Sequence, residues 1–175
     1  MDKIRILITD DHPVVREGLS GMLAGQSDFE VIGLAADGDT AVTMHGSLAP
    51  DVTLMDLRMP GLDGVGAIKA IVARQPSSRI IVLTTYDSDA DILPAIEAGA
   101  TGYLLKDAPR EELFRAIRAA ARRDSVLAPA VAARLMTRMR APAEESLSAR
   151  EIEVLQLVAK GVGNKEIGKT LHIST

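Results

Sequence analysis

Five side chains able to take part in phosphoryl chemistry stand at the ends of four short apolar runs. Asp10 and Asp11 follow Ile4 to Thr9, and Asp56 follows Val52 to Met55. Thr84 follows Arg79 to Leu83, and Lys106 follows Thr101 to Leu105. Taken singly, each has a plain structural use: an acid pair ahead of a helix caps it and meets its dipole, a Thr after a strand caps a turn, and a Lys there is solvated. Together they say more, because parallel strands bring their C-terminal ends to one rim of a sheet, where ligands collect. Crowded carboxylates repel one another, and a hard divalent cation such as Mg²⁺ relieves that repulsion. A metal and Lys106 would then spread the charge of a phosphoryl group in transfer, the Thr84 hydroxyl would bond an equatorial oxygen, and Asp56 would be the nucleophile.

The elements that must position these groups follow from periodicity. Ile4 to Ile8 is a first strand; Pro13 opens a helix whose apolar face is Val15, Leu19, Met22 and Leu23. Val31 to Leu34 is a second strand, and a helix runs from Asp39 to Leu48, closed by Pro50. After the strand that delivers Asp56, the Pro60-Gly61 and Asp63-Gly64 pairs force a turn, and Val65, Ile68, Ile71 and Val72 have helical spacing. Arg79 to Leu83 and Thr101 to Leu105 are strands four and five, and Pro109 to about Arg123 is the fifth helix. Pro94 removes a hydrogen bond where the fourth helix, Ile92 to Ala98, should form, which predicts a helix that starts late or is kinked, with loop from Asp87 to Asp91. Alternation of this kind, with strands apolar throughout, is an α/β chain with a parallel sheet covered on both faces.

A chain of 175 residues suits one full domain and something smaller. The beginning has no signal-peptide layout and no apolar run reaches membrane-spanning length, so a cytoplasmic protein without a membrane partner is expected. No cysteine is present, which excludes disulfides and thiolate metal sites. Residues 1–125 carry 13 Lys/Arg against 19 Asp/Glu, whereas 126–175 carry 7 against 5; the excess in the tail is too small to establish a polyanionic partner by itself. His12 and His45 lack a partner at ligand spacing and read as helix-start and surface residues.

Asp10-Asp11, Asp56, the loop Met59-Pro60-Gly61-Leu62-Asp63-Gly64, Thr84 and Lys106 together resemble the receiver domain of two-component response regulators over residues 1–124. The resemblance implies a flavodoxin-like, doubly wound five-stranded sheet of order 2-1-3-4-5 and a sensor histidine kinase that phosphorylates Asp56. It implies Mg²⁺ held by Asp11, Asp56 and the backbone carbonyl of Arg58, with Asp10 assisting, and a switch pair formed by Thr84 and Tyr103. Arg58 and Tyr86, two residues past Asp56 and Thr84, are similar in position to residues that control water access to the acyl phosphate. Slow autodephosphorylation is therefore expected, with no enzymatic activity beyond the domain's own phosphotransfer.

After a linker with one helix at 125–146, the tail changes character. Ser148 with Glu151 forms a capping box, and Leu147 with Ile152 a hydrophobic staple. The stretch 147–175 resembles the opening of a LuxR-type helix-turn-helix, and the whole chain resembles the NarL/FixJ class of transcriptional regulators. Gly163 replaces a helix-capping Ser or Thr of that motif and Gly168 an Ala, which weakens the second helix. The recognition helix would begin at Ser174-Thr175, so DNA binding is expected of the full-length protein and not of residues 1–175 alone. Homodimerisation on phosphorylation is expected through helix one with helix five, or through helix four, strand five and helix five.

Two other functions compete. One is a stand-alone receiver acting as a protein-binding switch or phosphorelay module. The other is a phosphohydrolase with an aspartyl-phosphate intermediate, which is disfavoured because such enzymes carry Asp-x-Asp after the first strand, where this chain has Asp10-Asp11-His12-Pro13. Gly64-Val65-Gly66 lacks the third glycine of a dinucleotide fingerprint, and no Walker loop occurs.

Overall fold

The computed structural model describes residues 2–85, 88–124, 126–127 and 132. Strand β1 (Ile4–Thr9) leads to helix α1 (Pro13–Ala24), which opens on a proline whose missing N–H costs nothing in a first turn. Strand β2 (Phe29–Ala35), helix α2 (Gly38–Leu48), strand β3 (Val52–Met55) and helix α3 (Gly64–Arg74) follow. Asp37 and Asp63 cap α2 and α3, each accepting a 2.7 Å hydrogen bond from the backbone N–H three residues on, of Thr40 and Gly66. Strand β4 (Ile80–Thr84), helix α4 (Asp89–Glu97), strand β5 (Gly102–Leu105) and helix α5 (Arg110–Ala121) complete five β-α units.

All pairings are parallel, and the strand order is β2-β1-β3-β4-β5, the doubly wound arrangement expected from the sequence. A sixth, two-residue strand β6 (Val126–Leu127) adds to the edge beside Gly102 and Tyr103. The sequence reading placed these two residues in a linker, because so short a run carries no period.

Strand residues alternate between two apolar layers. Met55, Val82 and Tyr103 face one core with Ile68 and Ile71 of α3 and Ile92 and Ala95 of α4. Ile6, Ile8, Val52, Leu54, Ile81, Leu83 and Leu104 face the other, with Leu23 of α1 and Leu113, Phe114 and Ile117 of α5. Burial on both faces is why the strands read as unbroken apolar runs. On the second layer Arg118 joins α5 to the start of β2: its guanidinium bonds both Asp28 oxygens, at 2.7 and 2.9 Å, and lies over the Phe29 ring.

Two expectations are corrected. Helix α4 begins at Asp89, so residues 89–91 are helical and Pro94 lies within the helix. Ser88 is extended and acts as N-cap, its carbonyl accepts from the N–H groups of Asp91 and Ile92 at 3.0 Å, and its hydroxyl donates to the Asp91 carboxylate. The Ser88–Asp91 side-chain hydrogen bond and the Arg58–Asp91 ion pair at 2.6 Å tie down the first turn despite the proline. His45 is not a surface residue but is 3% exposed. Its Nδ1 and Nε2 lie 3.0 Å from the hydroxyls of Thr53 and Ser78. The Ser78 hydroxyl spends its proton on the Gln75 carbonyl, so it accepts from Nε2–H, and Nδ1 accepts from Thr53. The residues of the linker helix and of the tail's helix-turn-helix, together with Tyr86 and Asp87, lie outside the described residues.

Candidate functional site

The site is built at the C-terminal rim of the sheet. The Thr9 carbonyl at the end of β1 accepts from the Asp56 N–H at 2.9 Å, which locks the first residue after β3 beside Asp10. Asp10 and Asp56 are almost wholly buried, at 1% and 4% exposure, and Asp11 is partly exposed. Buried carboxylates of like charge need compensation. Lys106 supplies it: its Nζ lies 2.6 Å from Asp10 Oδ2 and 2.9 Å from Asp56 Oδ2. The second Asp56 oxygen accepts from the Leu57 N–H at 2.8 Å, and Asp10 Oδ1 accepts from the His12 N–H at 2.9 Å.

Burial by itself would push the Lys106 ammonium down; the hydrogen bonds to Asp10 and Asp56 outweigh it and leave the group above its ordinary value, hence firmly cationic. Lys106 is placed by β5, and its backbone N–H donates to the Thr84 carbonyl at 2.8 Å, so the ends of β4 and β5 are tied at the site. Thr84 is fully buried at the end of β4. Tyr103, expected as its switch partner, is also fully buried, with its side chain in the α3–α4 layer.

The turn after Asp56 works only with glycine at position 64. A Cβ there would lie 2.1 Å from the Asp56 carbonyl oxygen and 2.7 Å from the Leu57 Cα, both rigid backbone. The Gly64 N–H donates to the Leu57 carbonyl at 3.0 Å, which closes the β3–α3 loop against the phosphoacceptor candidate. Arg58, in this loop, sends its guanidinium to Asp91 of α4, a contact that sequence spacing could not show across 33 positions.

Asp10, Asp11, His12 and Asp56 each offer one ligand atom, and these lie within 4.8 Å of one another. Asp11 Oδ1 is buried and receives no hydrogen bond. Hard carboxylate oxygens with an unsatisfied acceptor among them fit a cation such as Mg²⁺. His12 was not expected here; its position directly after the acid pair was the available signal. The structure thus brings together Asp10, Asp11, Asp56 and Lys106, sets Thr84 one hydrogen bond away, and turns the Arg58 side chain toward α4.

Comparison with known proteins agrees with this arrangement. Residues 6–118 match the family described as response regulator receiver domain, and residues 145–175 match the bacterial regulatory proteins of the luxR family. The chain is 46% identical to the transcriptional regulatory protein LiaR of Bacillus subtilis, over 98% of this chain and 83% of that protein. It is 39% identical to the response regulator VraR of Staphylococcus aureus, with the same coverage of each. Among solved structures it is similar to the response regulator ChrA of a heme-sensing two-component system, at 43% identity and a TM-score of 0.67 over 99% of this chain and 84% of that one. It is also similar to the response regulator RcsB of Salmonella typhimurium, at 31% identity and a TM-score of 0.80 over 98% of this chain and 85% of that one.

Proposed function

Because the chain belongs to the response regulators of two-component systems, with a receiver domain ahead of a LuxR-type helix-turn-helix through which it regulates transcription, we propose that Asp56 is its phosphoacceptor. The observation that carries this reading is the Lys106 ammonium bridging Asp10 and Asp56 beside the unsatisfied Asp11 oxygen. An Asp56 carboxylate oxygen attacks the phosphorus of a kinase phosphohistidine; the O–P bond forms as the P–N bond breaks, and the leaving imidazole takes up a proton. Lys106 offsets negative charge on the transferring group, and the Thr84 hydroxyl donates to one of its oxygens once it arrives. Asp11, Asp56 and the Arg58 carbonyl, with Asp10 assisting, would hold Mg²⁺, which supplies charge neutralisation to the phosphoryl oxygens.

The domain assignment that fits this reading is a receiver at 1–124, a connecting segment at 125–146 and the opening of the DNA-binding domain at 147–175. The histidine kinase and DNA are its partners, in a cytoplasmic setting. No helix among the described residues is long and apolar enough to cross a membrane. Thr84 and Tyr103 form the switch: Thr84 moves onto the phosphoryl group and the Tyr103 ring fills the space behind it, in the layer shared with α4.

Incubation with acetyl phosphate and Mg²⁺ followed by intact-mass measurement tests the proposal. One labile phosphate per chain, abolished by Asp56→Asn, is the expected result; continuous turnover of the donor would favour a phosphohydrolase instead. Arg58 and Tyr86 set the lifetime of the acyl phosphate by screening it from water. Replacing Tyr86 by Ala should shorten that lifetime several-fold in a timed mass series, and an unchanged lifetime removes Tyr86 from the role.

A further inference from the structure

At the N-terminal rim of the sheet, the end remote from Asp56, a cavity of about 170 Å³ opens where β4 and β5 begin and α5 ends. Two arginines from different elements line it, Arg79 just ahead of β4 and Arg123 just past α5. Neither makes an ion pair among the described residues. Arg79 is half-buried: its Nε is shut off from solvent without a hydrogen-bond partner, and its Nη1 reaches only the Asp51 carbonyl, at 3.4 Å. A guanidinium cannot shed its proton, so one that is partly desolvated and lacks a carboxylate calls for an anion. Arg123, directly after the Arg122 C-cap, has φ 71°, left-handed backbone that favours glycine. Its side chain is not needed to finish the helix, because the N–H groups of Arg122, Arg123 and Asp124 already bond the carbonyls of Ala119 and Ala120. Strain kept at a position the fold does not require is a mark of ligand sites. Asp124 is the one acid in the lining, and Arg122 Nε, 3.6 Å from its carboxylate, partly offsets it, which leaves the cavity positive.

We propose that this cavity binds a small tetrahedral oxyanion of the phosphate class, held between the Arg79 and Arg123 guanidiniums with the exposed Ser77 hydroxyl as a further donor. Two guanidiniums from separate elements offer more donors, from more directions, than the two oxygens of one planar carboxylate take up, whereas a phosphate presents acceptor oxygens on every side. The volume is below the roughly 300 Å³ at which pockets for drug-sized ligands begin, so a nucleotide does not fit. Pro76 and Ala120 add an apolar wall, which suits an oxyanion bearing at most a short carbon group. The site is separate from the acidic rim: Ile80 begins β4 at this end, and Thr84 ends it at the other. It is therefore independent of the role proposed for Asp56.

Titration of the whole ¹⁵N-labelled chain with inorganic phosphate, without Mg²⁺ and at constant ionic strength, tests the proposal for the wild type, Arg79→Gln and Arg123→Gly. Expected are saturable shifts of the Ser77, Thr101 and Arg123 amide resonances in the wild type, with an affinity about tenfold lower in either variant, the worth of one hydrogen bond to a charged group. Arg123→Gly separates binding from folding, because glycine takes φ 71° without strain. Without phosphate this variant should melt no lower than the wild type, and phosphate should raise its melting temperature less. Methyl phosphate in a parallel titration distinguishes the sources: tighter binding than phosphate supports a monoester as occupant, and weaker binding supports the free ion. Shifts that do not saturate, an affinity unchanged in either variant, acetate binding as tightly as phosphate, or a lower melting temperature for unliganded Arg123→Gly overturns the proposal.

Discussion

At the scale of single residues, the chain separates two kinds of buried polar group. Lys106 is half-buried between two carboxylates, and its charge is kept by hydrogen bonds that overcome desolvation. His45 is buried without any charged partner among its hydrogen bonds, and burial is the main reason its imidazole is held below the ordinary 6.5, with the polar side chain of Gln75 opposing. The folded state therefore binds fewer protons at His45 than the unfolded chain. Its contribution to stability is full above about pH 6.5 and is lost as pH falls through the lower folded value. Stability to urea should fall across that window more steeply in the wild type than in His45→Gln, whose amide can hydrogen-bond in place of the imidazole but cannot titrate; parallel curves would remove His45 as the cause. The same residue shows why a sequence can mislead. Its partners Thr53 and Ser78 are 8 and 33 positions away, and no helical or strand period links them. The acid pair, Asp56 and Lys106 were legible for the opposite reason: each directly follows an apolar run, so locating the strand located the side chain.

At the scale of elements, what was legible depended on whether one signal dominated. The four-residue β3 could be read to the residue because its apolar run ends in a carboxylate and a proline-glycine turn. Helix α4 could not, because a strong breaker and a cap compete within seven residues. Pro94 argues for a late start, and the Ser88–Asp91 hydrogen bond with the Arg58 ion pair prevails. Its interior position still leaves one turn without a donor. Pro94→Ala should therefore stabilise the domain by about 2 kcal/mol, the cost of an interior proline less the unfolded-chain entropy it saves. Chemical denaturation checks this, and a destabilised variant would show that the helix is built around the proline ring. Strand β6 was missed because two residues, Val126 and Leu127, cannot show an alternation.

At the scale of the whole molecule, phosphorylation at the proposed acceptor Asp56 would add charge there and shift an equilibrium between conformers. One of the structures similar to this chain holds two RcsB dimers on DNA. We expect sedimentation velocity to show a shift from monomer toward dimer when acetyl phosphate and Mg²⁺ are added, and none for Asp56→Asn. A dimer fraction equal in both would separate assembly from phosphorylation. The two apolar layers bear on how such a regulator can diverge. Tyr103 lies in the layer with α3 and α4, while Leu104, its neighbour in sequence, lies in the layer with α1 and α5. One residue's step along β5 thus crosses from the layer in which the proposed Thr84–Tyr103 switch would act to the opposite layer. Substitutions accumulating beneath α1 and α5 can remodel that flank for a new partner without retuning the sensor, so descendants of one ancestral chain are free to acquire different interlocutors while keeping the same response.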